Sequence, residues 1–232
     1  MHAKEEHRWD VDYHEAVAIQ ERLARKVIVS PLPEVRLVVG VDVAYSRKRN
    51  WCSAAAVVFD LETRETVEIA EAQGPSTYPY VPGLLTFREA PPILRALERL
   101  ETEPDVLLVD GQGLAHPRRM GIATHLGILL DRPTVGCAKS RLTGIHADPG
   151  RKKGSWADLK DESECIGRVL RTRTRVKPVF VSIGHRVDLP SAVRLVLRSV
   201  SRYRIPDPIR LAHTHVTAMR HEAEVRDVLK PG

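Results

Sequence analysis

The run Asp105-Val-Leu-Leu-Val-Asp110 restricts the fold more than any other segment. Four consecutive apolar residues cannot alternate between a core and solvent, so the strand must be covered on both faces, as inside a parallel sheet. A parallel neighbour needs a crossover, and helical patterns flank the run. "PPILRALERL" before it carries Ile93, Leu94, Leu97 and Leu100 on one side; a segment around Met120 to Leu130 follows it, and then a short strand, "PTVGCA". Upstream, "VRLVVGVDVAYS", "CSAAAVVFDLET" and "ETVEIAEAQG" read as three strands with short polar connections, an antiparallel meander. The expected class is α/β, a mixed sheet flanked by helices.

The remaining segments extend this plan. "YHEAVAIQERLARKVIV" places Ile19, Leu23 and Val27 on one helix face, and Pro31 and Pro33 stop it. Beyond Ala138, "KSRLTGIHADPGRKKGSWADLKDE" is rich in glycine, lysine and arginine with little periodicity, and reads as a long functional or mobile loop. In "CIGRVLRTRTRV" the alternation of Arg171, Arg173 and Arg175 suggests a cationic sheet face that meets phosphates, or a solvated edge that discourages aggregation. "PVFVSIG" is a further strand and "PSAVRLVLRSV" a further helix. The last helix is expected to begin with Asp207 as N-cap and Pro208 at its first position. No internal repeat is visible. With 232 residues, 43% of them hydrophobic, one domain over 1–232 suffices.

The net charge of +6 and pI near 9.4 favour an anionic partner. Cys52, Cys137 and Cys165 lie far apart without C-x-x-C spacing, so neither a zinc knuckle nor a disulfide framework is suggested and a reduced, cytoplasmic setting is expected. The N-terminal stretch has no apolar signal core, and no segment has the run of about 18 apolar residues that a membrane span requires. No membrane association and no obligate protein partner are expected.

Three acids stand out. Asp42 shares a strand face with Val38, Gly40 and Ala44, where an ionised carboxylate needs an arginine partner, a raised pKa or a metal. Asp110 ends the apolar run, and if that strand lies parallel beside the first, two carboxylates meet and call for a shared proton or a divalent cation. Glu89 in "YPYVPGLLTFREAPP" has two readings. Thr86-x-x-Glu89 matches a capping box, but Pro91 and Pro92 fit best in the first turn of the helix, which moves its cap toward Glu89 or Ala90 and frees Glu89 for a site. His213, four residues after Ile209 and three before Val216, is expected on the core side of the last helix, with His215 facing away. It serves as a satisfied core residue or, if the helix covers the acids, as a catalyst.

Gly111-x-Gly113 between strand and helix imitates a dinucleotide fingerprint, but the third position is His116 and no βαβ unit precedes it. The glycines suit close approach of backbone to a flat ligand. Together, "GVDVAYS", "PYVPGLLTFREAP", "DVLLVDGQGLAHPRRMGIATHLG", "PTVGCAKSRL" and "IPDPIRLAH" resemble, in order and spacing, the endonuclease V family, which has a ribonuclease H-like fold. The resemblance covers most of the chain.

It implies a Mg²⁺-dependent nuclease, with Mn²⁺ as a possible substitute, that acts on nucleic acid containing inosine, DNA in preference to RNA. Such an enzyme cuts the second phosphodiester 3′ to the lesion and leaves 3′-hydroxyl and 5′-phosphate. It also implies that Asp42, Glu89 and Asp110 are the catalytic acids, with Asp42 and Asp110 on the metal, Glu89 and His213 completing the ligand set or shuttling protons, and a second cation or Lys139 of "CAKS", rather than an ordinary loop lysine, neutralising charge at phosphorus. Tyr80, stiffened by Pro79 and Pro82, becomes a wedge for the base stack rather than a ring packed on the core. Gly83, Gly111, Gly113 and Gly121, with Pro82 and His116, become the base pocket. The alternatives are an inosine-specific endoribonuclease and a catalytically silent binding module of the same fold.

Overall fold

A computed structural model of the chain describes residues 1–46 and 50–228. Eight strands form one mixed sheet: β1 (Leu37–Tyr45), β2 (Trp51–Asp60), β3 (Thr66–Pro75), β4 (Val106–Val109), β5 (Thr134–Ala138), β6 (Trp156–Asp161), β7 (Glu164–Leu170) and β8 (Val179–His185). Their spatial order is β3-β2-β1-β4-β5-β8-β7-β6. The first three strands are the expected meander, and β4 lies parallel between β1 and β5. The remaining pairings are antiparallel.

The reason β4 reads as a continuous apolar run is visible in its packing. Leu107 and Val109 enter the core under α1 (Tyr13–Ala24), α2 (Leu85–Leu97) and α3 (Ile122–Leu130). Val106 and Leu108 enter the opposite core, shared with α4 (Leu189–Arg198) and the start of α5 (Asp207–Val228). Adjacent β1 obeys the same rule, with Val39 and Val41 on one side and Val38 on the other. Among the described residues, no helix is long and apolar enough to cross a membrane.

Several local expectations are corrected. Helix α1, capped by Asp12 accepting from Glu15 N–H at 2.8 Å, stops at Ala24 rather than running to the prolines. The β-branched residues beyond it dock elsewhere: Ile28 exchanges hydrogen bonds with the end of β8, its N–H reaching His185 Nδ1 and its carbonyl accepting from Arg186. Helix α2 begins at Leu85, so Pro91 and Pro92 lie inside it and Leu84, not Glu89 or Ala90, is the cap, without a side-chain bond. The prolines forfeit two backbone bonds. Burial of Phe87, Ala90, Ile93 and Leu97 outweighs that loss, and the capping box of Thr86 and Glu89 does not form.

Strand β6 occupies the end of the segment read as a loop. Strand β7 stops at Leu170, so Arg171, Arg173 and Arg175 follow the sheet instead of lining one face of it. Arg171 is buried, donating to the carbonyls of Pro149, Gly150 and Val176, which makes it a brace for the 148–176 connection rather than a phosphate contact. Asp207 is the first residue of α5, not its cap; its carboxylate takes Arg64 and Arg210.

The N-terminal arm lies across α3. Lys4 and Glu5 N–H groups donate to Leu129 O, and His7 Nε2 meets His125 Nε2 at 2.7 Å. His125 is wholly buried, and burial holds its pKa well below the ordinary 6.5. The unfolded chain therefore binds a proton there that the folded chain excludes, and stability is lost as pH falls below about 6.5. We predict that urea unfolding shows a shallower loss on acidification for His125→Leu than for wild type. The difference in slope should approach about 1.4 kcal/mol per pH unit; parallel profiles would contradict it.

Candidate active site

The site starts from Gly40. A Cβ at that position would lie 2.2 Å from the carbonyl carbon of Pro208 and 2.4 Å from its oxygen, so only glycine lets the start of α5 rest on β1. The helix then buries Ile209, Ala212 and Val216 against β1 and β2. His213 is one residue, about 100° of helix rotation, past that stripe. Its side chain is 58% exposed, which corrects the expectation of a core-facing ring, yet Nδ1 lies 2.7 Å from Asp42 Oδ2. His215 turns to Glu71, at 3.6 Å.

The parallel register Val41↔Val109 brings Asp42 and Asp110 to the same level at the ends of neighbouring strands. Strand β5 ends beside them, and the Lys139 ammonium just beyond it pairs with the Asp110 carboxylate. Burial raises the Asp42 pKa above the ordinary carboxylate range; the His213 hydrogen bond opposes the rise and the Asp110 charge adds to it. Glu89 approaches from α2. Burial, followed by the charges of Asp42 and Asp110, pushes its carboxyl up to about 8.

Three acids thus feel one another's charge, with Lys139 compensating Asp110, His213 compensating Asp42, and Arg88 and Tyr45 partly compensating Glu89. An all-oxygen donor set under mutual repulsion is the chemistry that a hard divalent cation relieves. Among the described residues, no three His, Cys, Asp or Glu side chains converge as a ready-made metal cage. Asp42 and Asp110, on rigid strand ends, are the residues suited to hold such an ion.

Asp110 and Lys139 also line a cleft of about 350 Å³ whose opposite wall is the Tyr80–Gly83 loop. Tyr80 is 68% exposed at its mouth, unlike a ring packed on a core. Pro82, Gly83, Gly111, His116 and Gly121 line it too. Gly113 does not: a Cβ there would lie 2.0 Å from Ile183 O, so this glycine serves contact with β8.

Gly121 serves packing as well as lining, since its Cβ would lie 2.2 Å from Gln112 O. Its N–H donates to Gly113 O, which leaves that group nothing for a ligand, and its carbonyl accepts from His125 N–H. Gly83, at φ +79°, is the one whose backbone conformation itself demands glycine. Sequence reasoning missed Gln112, Ile122, Arg141 and Leu142, which also line the cleft. The signal was weak but present, because each stands within three residues of a position already singled out.

The "Endonuclease V" family profile matches residues 21–214. The chain is 52% identical over 207 residues to Endonuclease V of Methanothrix thermoacetophila, covering 89% of this chain and 92% of that one. The crystal structure of Endonuclease V from Streptomyces avermitilis superimposes with a TM-score of 0.89 at 46% identity, over 93% of this chain and 96% of that one. A variant of Ciona intestinalis Endonuclease V, in complex with a 23mer DNA containing an inosine followed by a ribo-adenosine, gives a TM-score of 0.81 at 31% identity, over 90% and 97% of the two chains. The chain belongs to the Endonuclease V family of nucleases.

Proposed function

We propose that this protein is a divalent-metal-dependent endonuclease that nicks DNA at inosine, cutting the second phosphodiester 3′ to the lesion and leaving 3′-hydroxyl and 5′-phosphate. The observation that carries the reading is the cleft itself, in which Asp110 and Lys139 share a wall-to-wall space with the exposed Tyr80. A base-sized recess beside an acid–lysine pair suits a turned-out base whose backbone must pass the acids. The inosine-containing DNA bound by the Ciona relative supports the same substrate class. Because that strand carries a ribo-adenosine after the inosine, RNA belongs in the same assay as a competing substrate.

Mg²⁺, or Mn²⁺ in its place, held by Asp42 and Asp110, supplies charge neutralisation at phosphorus and a more acidic water. The protein's own groups do the rest. Lys139 offers its ammonium to the phosphate from the Asp110 side. Glu89, protonated near neutral pH, can give a proton to the leaving oxygen. His213 holds Asp42 in orientation through Nδ1 and, being exposed, exchanges protons with solvent. Tyr80 and Pro82 present a stiff apolar edge to the stack that closes behind an extruded base.

Replacing Asp42 or Asp110 by Asn should abolish Mg²⁺-dependent nicking while inosine-DNA binding persists, because the wedge and pocket walls remain. Near wild-type nicking by either variant would remove the catalytic assignment. His213→Ala should lose at least about tenfold more activity than His215→Ala at unchanged melting temperature, since only the former touches Asp42, whereas His215 meets Glu71 outside the site. Equal losses would make His213 an ordinary surface residue.

Tyr80→Ala should weaken affinity for inosine duplex by roughly 1–3 kcal/mol of lost stacking, with a smaller deficit on single strands and little change at saturating enzyme. Phe at this position should behave nearly as Tyr. An equal deficit on both strands that persists at saturation contradicts the wedge.

A further inference from the structure

The carbonyl oxygen of Gly83 is held by three side chains from two distant parts of the sequence. Gln20 Nε2 donates to it at 3.0 Å, His116 Nε2 at 3.0 Å and Arg118 Nη2 at 2.8 Å. A carbonyl has two lone pairs, so this acceptor is saturated and has nothing left for a ligand. The orientations are mutually determined. Gln20, fully buried on α1, also donates from Nε2 to Met120 O at 3.2 Å and accepts at Oε1 from Arg118 Nε at 2.6 Å, which fixes its amide against flipping. His116 accepts at Nδ1 from the Arg118 N–H at 3.1 Å, which leaves the ring proton on Nε2, aimed at Gly83.

Gly83 is where such a clamp has most effect. At φ +79° it turns the chain from the Tyr80-Val81-Pro82 segment into α2, and Leu84 N–H closes the turn on Val81 O at 2.9 Å. Glycine is the residue with the widest choice of backbone conformations, so without external donors this peptide plane is poorly determined. The neighbouring Arg119 ties the same segment to the β6–β7 turn, its Nε reaching Glu164 Oε2 at 2.7 Å and its Nη1 reaching Asp161 Oδ2 at 2.9 Å.

We propose that Arg118 and Gln20 are positioning residues that set the angle of the Tyr80 loop over the cleft, so that they govern capture of the lesion and not phosphodiester cleavage. The functional half of this inference rests on the reading of Tyr80 as a wedge; the mechanical half does not. In Arg118→Ala, Gly83 loses a donor and Gln20 loses the partner that orients it. In Gln20→Leu, the link from α1 is lost while the cation remains.

The test has two arms, run on the full chain. In the first, hydrogen exchange of the free protein is followed for residues 80–84. Arg118→Ala and Gln20→Leu should accelerate it by about tenfold while the second half of α2 is unchanged. In the second, affinity and saturating single-turnover nicking are measured on inosine duplex for Arg118→Ala, Tyr80→Ala and the double variant. Arg118→Ala should lose about tenfold in affinity and stay within about twofold at saturation. The double variant should bind no worse than Tyr80→Ala alone, since a wedge that is absent cannot be misaligned.

Unchanged exchange overturns the clamp whatever the substrate proves to be. Additive losses in the double variant, or a large loss at saturation, overturn its assignment to the wedge. If wild type itself does not distinguish inosine duplex from undamaged duplex, the wedge reading fails and takes the functional half with it, while the exchange arm still decides the mechanical half.

Discussion

The structure depends on holding two carboxylates side by side at the ends of adjacent parallel strands. Like charges in a partly dry setting repel, and each would avoid the other in a freely moving chain. The parallel register of β1 and β4 leaves them no such choice. Both strands are buried on two faces, so neither can slide by a residue without turning its apolar side chains to the wrong layer. The hydrophobic cores thus supply the free energy that keeps Asp42 and Asp110 together, and the surroundings are arranged around that cost.

Each surrounding group answers it. Lys139 reaches Asp110 because β5 is the other parallel neighbour of β4 and ends at the same level. His213 reaches Asp42 because Gly40 allows α5 to lie directly on β1. Glu89, brought in by α2, keeps its proton to near pH 8 rather than add a third charge. Titration, metal affinity and catalysis are therefore linked through one electrostatic problem, and a residue such as Gly40, which touches no acid, is as much a condition of the site as Asp42.

The cleft beside the acids is built by a second device, close backbone approach. The 111–121 segment folds on itself so tightly that its glycines bond one another and pack against β8, and one compact unit then carries the base of the cleft. From that unit Arg118 reaches the Gly83 wall, and Arg119 anchors the unit to the β6–β7 turn. Rigidity at the floor is thereby passed to the Tyr80–Gly83 wall, which suits a pocket meant to accept one shape.

The sequence by itself determined the parallel centre of the sheet, the meander, and the acids worth attention, because an unbroken apolar run and an unsupported carboxylate are local signals with direct energetic meaning. It also pointed to Tyr80, Gly83 and His116, though on family resemblance for their roles. Tertiary structure decided what local rules misjudged. Two prolines sit inside α2 because burial of its apolar face exceeds the lost hydrogen bonds. Arg171 left the surface because the carbonyls of Pro149, Gly150 and Val176, from two separate segments, needed a donor. His213 lies beside the buried stripe of α5 rather than on it, and meets Asp42 only because Gly40, far back in the chain, lets the backbones of β1 and the start of α5 touch. Periodicity reports which face of an element is apolar; it carries no information about which other element will come to lie there, since that is settled by contacts between residues far apart in the chain.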